Sequence, residues 1–442
     1  MRHPRLRAAA VAAMVAAAAP AAGQTADQRA GALEAAFQAM LRDLADPSLS
    51  FRYAQLATEA GEIAGAIAAL ERLLLLNPAL DNIRLELALF YYRLGNNALA
   101  KSYAERALAS PLLPPDVRPR AERLIADIDR GLSRHLFTGE LAAGARYDSN
   151  VNGGPSSQTV RGGGLDIPVV AGQPDGDWGL FASALGQYAY DLGTQKRDRI
   201  DVNAYAYSLR YLDRGDFDLD ILALDAGVWL YPFAGALERV GIRPHVGYTH
   251  VFLERQTYLR LYGGGLTVQA PIGDTLIAEA TGQGRIQDYQ DSDRRPATED
   301  QNGVETAVTA SLAWQPAAHS LLVLQGQYVF DDAARDYVAN HDRGVTLTWR
   351  FSYAAPGGLT AEPWSTAVTG RYRDIVYDAP DPLVDPAVTR RDWRREFSVS
   401  TTVPLWRALA ANVSYQRTDN DSNLENYAYS NNAVWMNLTW RL

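Results

Sequence analysis

Residues 344–353 read GVTLTWRFSY, and the order of their side chains decides the fold. Val345, Leu347, Trp349, Phe351 and Tyr353 alternate with Thr346, Thr348, Arg350 and Ser352. Successive side chains of a strand point to opposite faces, so one face here is apolar and the other polar. The same period recurs on both sides. SLLVLQGQYVF (320–330) sets Leu322, Leu324, Tyr328 and Phe330 against Val323, Gln325 and Gln327. VWMNLTWRL (434–442) sets Val434, Met436, Leu438, Trp440 and Leu442 against Asn437, Thr439 and Arg441.

A soluble sandwich alternates too, with its polar face outward. Two features separate this chain from one. Its periodic segments run about 10 to 15 residues, against roughly 5 or 6 for an ordinary strand. Tyr and Trp recur near segment ends, as in the aromatic girdles of a membrane barrel. The pattern predicts strands at 136–147, 177–190, 199–211, 216–231, 238–252, 257–270, 274–289, 302–314, 319–330, 343–354, 359–377, 394–404, 407–418 and 431–442. That is fourteen, an even number that brings both barrel ends to one side. Connections expected on the opposite side are mostly long (148–176, 290–301, 331–342, 378–393, 419–430). Those at 212–215 and 253–256 are short. Expected inner turns are PIGD, WQPAAHS, AAPGGL and Leu405-Trp406.

Residues 25 to 133 obey the helical period instead. Phe37, Met40, Leu41 and Leu44 share a helical face, which Asp46-Pro47 ends. A repeat of 34 residues follows: Gly61 and Gly95, Ala66 and Ala100, Leu73 and Ala107 are each 34 apart. Pro78 and Pro111 close the two units. A glycine at a tight turn and a small residue where two helices approach are the marks of a tetratricopeptide helix pair. Helices near 28–45 and 116–130 are expected to cap so short a stack.

Ahead of these, MRHPRLRAAAVAAMVAAAAPAAGQ has three early arginines, a short Ala-rich run and small residues near Ala22 and Gly23, the pattern of a secretory signal peptide over 1–23. The expected plan is a periplasmic repeat domain over 24–133 and an outer-membrane β-barrel over 136–442. The net charge of −9 shows no basic face and excludes a nucleic-acid partner. The chain has no cysteine, which excludes disulfides, thiolate metal sites and a thiol nucleophile.

YDSNVNG (147–153) spaces Asp148, Asn150, Asn152 and Gly153 as a calcium-binding EF-hand loop begins. The twelfth position, which must supply a bidentate Glu, is Thr159, and no helical pattern flanks the loop. A strand exit explains it better. On the first strand Phe137, Leu141, Ala143, Ala145 and Tyr147 face lipid, and Thr138, Glu140, Arg146 and Asp148 face the lumen. Asn and Asp then bond their own backbone at the turn.

No chemistry beyond this stands out. His245 and His250 are an odd number of positions apart on one strand and point to opposite faces, so they share no metal. No Ser, His and carboxylate set shares a face. GGG at 162–164 falls in a loop and at 263–265 in a strand, so neither opens a helix to hold phosphate. No catalytic residue, metal or cofactor is expected. Glu140, Arg146, Asp148, Gln325, Gln327, Arg350, Gln416 and Arg441 are the candidate lumen-lining residues.

Signal peptide, short tetratricopeptide domain and fourteen-stranded barrel, with YDSNVN at the exit of the first strand, resemble the surface lipoprotein assembly modulator (Slam) family, also called surface lipoprotein assembly modifiers. The resemblance covers the mature chain. It implies a non-enzymatic outer-membrane factor that moves client lipoproteins, or other exported proteins, to the cell surface. It implies a periplasmic repeat domain that engages clients or a chaperone, and insertion by the barrel assembly machinery among outer-membrane lipids. The chain departs from the common barrel ending, an aromatic residue, by closing on Leu442 with Trp440 two positions earlier. A polysaccharide export pore and a passive diffusion channel are the alternatives. The first favours longer repeat arrays, and the second has no use for a helical domain.

Overall fold

The computed structural model describes residues 26–442 apart from 44, 45, 79, 112, 115, 116, 170, 171 and 195. The expected signal peptide and Leu44 lie outside the described residues. The chain divides into two compact units between Ser133 and Arg134.

The first unit is helical: α1 (Ala26–Arg42), α2 (Pro47–Glu59), α3 (Ile63–Leu76), α4 (Asp81–Arg93), α5 (Asn97–Leu108) and α6 (Arg118–Leu132). Helix α4 starts 34 residues after α2, and α5 starts 34 residues after α3. The repeat in the sequence is therefore a repeat of helix pairs. Asp46 caps α2, its side chain accepting from the Ser48 N–H at 2.8 Å, and Pro47 needs no donor at the first helical position. Gly61 and Gly95 turn the chain inside each pair with φ of 82° and 73°, the left-handed region that a Cβ disfavours. One core joins α1 to α4 through Met40, Tyr53, Ala66, Leu70, Leu73 and Ile83. A second joins α4, α5 and α6 through Ala88, Ala100, Ala104, Ala107, Leu124 and Ile128. Leu41, expected on the apolar face of α1, is exposed.

The second unit is a closed antiparallel barrel. Its strands are β1 (His135–Asp148), β4 (Asp177–Asp191), β5 (Arg199–Tyr211), β6 (Leu219–Trp229), β7 (Gly241–Leu253), β8 (Gln256–Ile272), β9 (Leu276–Tyr289), β10 (Gly303–Ala317), β11 (Ser320–Ala333), β12 (Asn340–Tyr353), β13 (Trp364–Pro380), β14 (Thr389–Trp406), β15 (Leu409–Ser422) and β16 (Tyr429–Arg441). Each pairs with its sequence neighbours in the wall, and β1 closes on β16 from Glu140↔Arg441 to Asp148↔Ala433. The Leu442 N–H extends that seam to the Gly139 carbonyl at 2.9 Å. Closure leaves no long edge to pair with another chain.

Residues opposite each other across a ladder share a face. Followed through every pairing, the polar face of β12 carrying Thr346 and Thr348 continues to Gln325, Gln416, Ala433 and Asp148. The other face carries Leu324, Leu347 and Leu438, all about half exposed. An apolar outside and a polar inside define a barrel made for a bilayer, where the wall satisfies every backbone group itself.

All fourteen expected strands are present, and the differences fall at their ends. Predicted outer connections 331–342, 378–393 and 419–430 shrink to 334–339, 381–388 and 423–428, because β11 to β16 continue past the apolar band as polar ladders. The expected contrast between long and short connections weakens accordingly, since 230–240 and 354–363 on the other side are long. The turn expected at Leu405-Trp406 lies at Arg407-Ala408, with Arg407 at φ 46°. The first connection contains a hairpin that the sequence pattern missed, β2 (Thr159–Gly162) with β3 (Leu165–Pro168). The barrel end carrying this connection is the loop end, and the opposite one is the terminal end.

Candidate functional site

In the helical unit the repeat marks are structural. Ala66, Ala100 and Ala107 are fully buried and Leu73 nearly so, each at a helix contact. Pro78 lies in the turn before α4, where its carbonyl accepts from Arg84. A polar link ties three helices. Tyr91 and Tyr103 stack with centroids 5.6 Å apart and both donate to Glu71 Oε1, at 2.6 and 3.1 Å. Burial, then the Glu71 carboxylate, pushes the Tyr91 hydroxyl well above its ordinary value. Lys101 of α5 reaches Asp129 of α6 at 2.6 Å.

In the barrel the eight lumen candidates all fall on the inward face, but they do not form one site. Glu140 and Arg441 meet loosely across the seam at 3.4 Å, both exposed. Gln327 donates to Asp342 at 3.0 Å, and Gln416 donates to Thr418 at 3.2 Å. Gln325 shares their face, and Arg350 stands exposed on it.

Arg146 and Asp148 are the exception. Asp148, 2% exposed, accepts from Arg146 at 2.6 and 2.8 Å, from the Tyr211 hydroxyl at 2.9 Å and from Asn431 at 2.9 Å. The rest of the quoted motif is committed as well. Asn150 Oδ1 accepts from the Gly154 N–H at 2.8 Å while its Nδ2 donates to the Gly154 and Ser430 carbonyls. Asn152 accepts from the Asp175 N–H at 3.1 Å and donates to the Gln173 carbonyl at 2.8 Å. The D-x-N-x-N-G spacing ties the exit of β1 to the return of its own loop and to β16.

Three inward clusters escaped the sequence reading. Arg243 donates to Asp201 at 2.7 Å and to Asp225, whose other oxygen lies 3.2 Å from His245 Nδ1. Asp225 and His245 border a recess of about 280 Å³ that Gly247 and Gly263 also line. A Cβ at Gly265 would stand 2.6 Å from the Gly282 carbonyl and 2.8 Å from His245 Nε2, so the last glycine of this GGG makes room for the neighbouring strand and the imidazole. On the far wall Arg390 lies over the rings of Tyr377 and Tyr427, 4.4 and 3.4 Å from their centroids, and binds the fully buried Asp392. Arg285 pairs with Glu305 from β9 to β10. Alternation alone would have put these residues inward, but which of them meet depends on register, and a single sequence does not carry it.

At the loop end the first connection is clamped to its neighbours. Arg161 of β2 donates to Asp385 at 3.0 and 2.8 Å and to Asp166 at 2.9 Å. Asn426 holds the Arg161 backbone on both sides, accepting from its N–H and donating to its carbonyl. The Gly163 and Gly164 N–H groups donate to the Leu383 and Val384 carbonyls, which accounts for the other GGG.

No curated protein matches the chain. Among solved structures, the crystal structure of MamA aligns with 24% of this chain at 20% identity and a TM-score of 0.21, and the chain spans 55% of that protein's length. An anion-selective porin from Comamonas acidovorans aligns with 70% of this chain and 99% of its own at 10% identity and a TM-score of 0.36. A loop-deletion mutant of OmpT, an outer membrane protein of Vibrio cholerae, aligns with 70% and 99% at 9% identity and a TM-score of 0.37. The family model for surface lipoprotein assembly modifiers matches residues 199–442, from the first residue of β5 to the end, which is more than half of the chain. The chain belongs to the surface lipoprotein assembly modifier family.

Proposed function

We propose that this protein is a non-enzymatic outer-membrane factor that delivers client lipoproteins to the cell surface. The family match over the barrel carries the reading. In this reading the helical unit stands in the periplasm and engages the client, with or without a chaperone. The barrel gives the client its route or insertion site and is itself placed by the barrel assembly machinery. The two-unit plan supports a division of labour, because a helical repeat stack presents a surface for extended partners while the barrel satisfies the bilayer. No nucleotide is at hand in that compartment, so client folding or a partner machine must drive transfer.

The test is protease shaving of intact cells with and without the gene, followed by surface proteomics. Loss of one or a few lipoproteins from the surface, with their periplasmic pools retained, is the expected result. An unchanged surface set would overturn client delivery and turn attention to glycans or small-solute flux.

A further inference from the structure

The outward face of the barrel differs between its two ends. At the terminal end the last three outward positions of each strand carry apolar, small or hydroxyl side chains and aromatic ones such as Tyr188, Tyr190, Trp314, Trp349 and Trp440. Among the described residues they include no Arg, Lys, Asp or Glu. At the loop end the outward face carries charges, among them the pairs Arg210–Asp220 and Arg260–Asp288, and four further outward arginines lie together on β12 to β15.

Four arginines make one patch there. The ladder puts Arg343 opposite Asp374, Asp374 opposite Trp393, and Trp393 opposite Asp421. The next outward row runs from Tyr372 through Arg395 to Asp419, and the one below it sets Phe397 opposite Arg417. Arg391, two residues before Trp393, lies over its ring at 5.1 Å and donates to Asp374 at 2.8 and 2.9 Å. Arg417 donates to Asp419 at 2.8 and 2.7 Å, and Arg395 pairs with Asp421. Arg343 is exposed and forms no ion pair among the described residues. The Arg391, Arg395 and Arg417 side chains keep 46%, 60% and 47% of their surface. Each guanidinium has five N–H donors, and one carboxylate uses at most a few of them.

Arg343 and Arg391 stand above the row of Val345, Arg395 shares that row, and Arg417 shares the next one with Leu347 and Phe397. These half-exposed guanidinium groups on the lipid side of the barrel straddle the upper edge of the apolar band, where hydrocarbon gives way to headgroups. A planar guanidinium fork in that layer matches the oxygens of a headgroup phosphate in bidentate geometry. We infer that Arg343, Arg391, Arg395 and Arg417 bind the phosphate groups of a phosphorylated lipid, and that the loop end therefore lies in the leaflet that holds it. Both barrel termini then emerge on the opposite side. The inference rests on the membrane barrel and not on client delivery.

Full-length protein in detergent is titrated with lipid A bearing two phosphates, with its dephosphorylated counterpart and with inorganic phosphate, and the unfolding midpoint is followed. A saturable rise with the phosphorylated lipid alone is expected. R343Q breaks no ion pair and should weaken it severalfold, and the four Arg→Gln changes together at least about tenfold, the equivalent of about 1.4 kcal/mol. The four Arg→Lys changes should retain part of the effect, and inward Arg371→Gln all of it. Equal response to the dephosphorylated lipid, competition by inorganic phosphate at matching concentration, or unchanged binding by R343Q and the fourfold variant each overturns the site. Sidedness has its own readout, since the chain has no cysteine. In intact cells of a strain whose surface leaflet holds the phosphorylated lipid, a membrane-impermeant maleimide should label Leu383→Cys at the loop end and spare Leu237→Cys at the terminal end. The reverse pattern overturns the orientation. Client delivery is scored separately by shaving, so failure here leaves that reading standing.

Discussion

Asn431 spans the closing seam of the barrel: its Nδ2 donates to Asp148 Oδ1 at 2.9 Å, and its Oδ1 accepts from the Asn150 N–H at 3.0 Å. One side chain on the last strand thus serves both an inward carboxylate of the first strand and the backbone of the loop that follows it. Asn431→Ala removes a donor from a carboxylate that is 2% exposed and leaves a backbone N–H without its acceptor. A cost of roughly 1–3 kcal/mol is expected for such an orphaned pair. It should appear as a lower unfolding midpoint in detergent. Asn432→Ala alters the same strand at an exposed contact and should cost less.

Calcium should not matter at this turn. The side-chain oxygens of Asp148, Asn150 and Asn152 all accept hydrogen bonds within the protein. A cation would have to displace Arg146 from Asp148, and the loop offers no bidentate Glu in exchange. Millimolar calcium or a chelator is expected to leave the unfolding midpoint unchanged. A calcium-dependent rise would revive the EF-hand-like reading of the motif.

In the helical unit, Gly61→Ala and Gly95→Ala isolate a backbone effect. Both glycines sit at positive φ, and a Cβ at either position meets no atom within 4 Å. The loss should therefore come from left-handed strain alone, about 1 kcal/mol each. Leu73→Ala, by contrast, opens a cavity in the core of α1 to α4 and should cost about 2–5 kcal/mol. Loss of the helical circular-dichroism signal on heating separates the two classes, because the barrel contributes little to it.

Period and punctuation made most of this architecture legible. Alternation fixed the number and face of the fourteen barrel strands, because one face had to be apolar for the bilayer. The 34-residue spacing of Gly61 and Gly95 fixed the helix pairs, because only the turn needs positive φ. What was illegible lies where neither constraint acts. Above the apolar band, strands such as β14 from Thr389 continue on hydrogen bonding and ion pairs, so no hydrophobic pattern marks their ends. The β2–β3 hairpin is held by Arg161 and Asn426 to loops more than 200 residues away. The inward clusters needed register: Asp201, Asp225 and Arg243 are each unremarkable until β5, β6 and β7 align.

The loop clamp has a pH signature. The Ala387 N–H and then the Arg161 guanidinium hold the Asp385 carboxyl below its ordinary value. A depressed folded value means the contribution is complete above the usual carboxylate range near about 4 and is lost as pH falls through the lower folded value. Limited proteolysis of the β13–β14 connection should therefore stay slow at neutral pH and accelerate only in strong acid. Asp385→Asn should be cut faster at neutral pH and lose that acid dependence. Equal cutting of both proteins across the range would count against the clamp.

The same clamp gives the lumen route its sharpest test. The Ser156 N–H donates to the Ala428 carbonyl at 2.8 Å, so the first connection and the β15–β16 connection run as backbone neighbours at the loop end. Ser156→Cys with Ala428→Cys would be the only cysteines in the chain, and neighbouring backbones suit a disulfide. If a client leaves through the mouth of the barrel, these connections must part. Oxidised cells should then lose surface display of the client, reductant should restore it, and each single variant should behave as the parent. If the oxidised double variant displays its client normally, parting of these connections is not part of the route. The seam between β1 and β16 would then become the place to cross-link next, at Ala142 and Thr439, which face each other in the ladder.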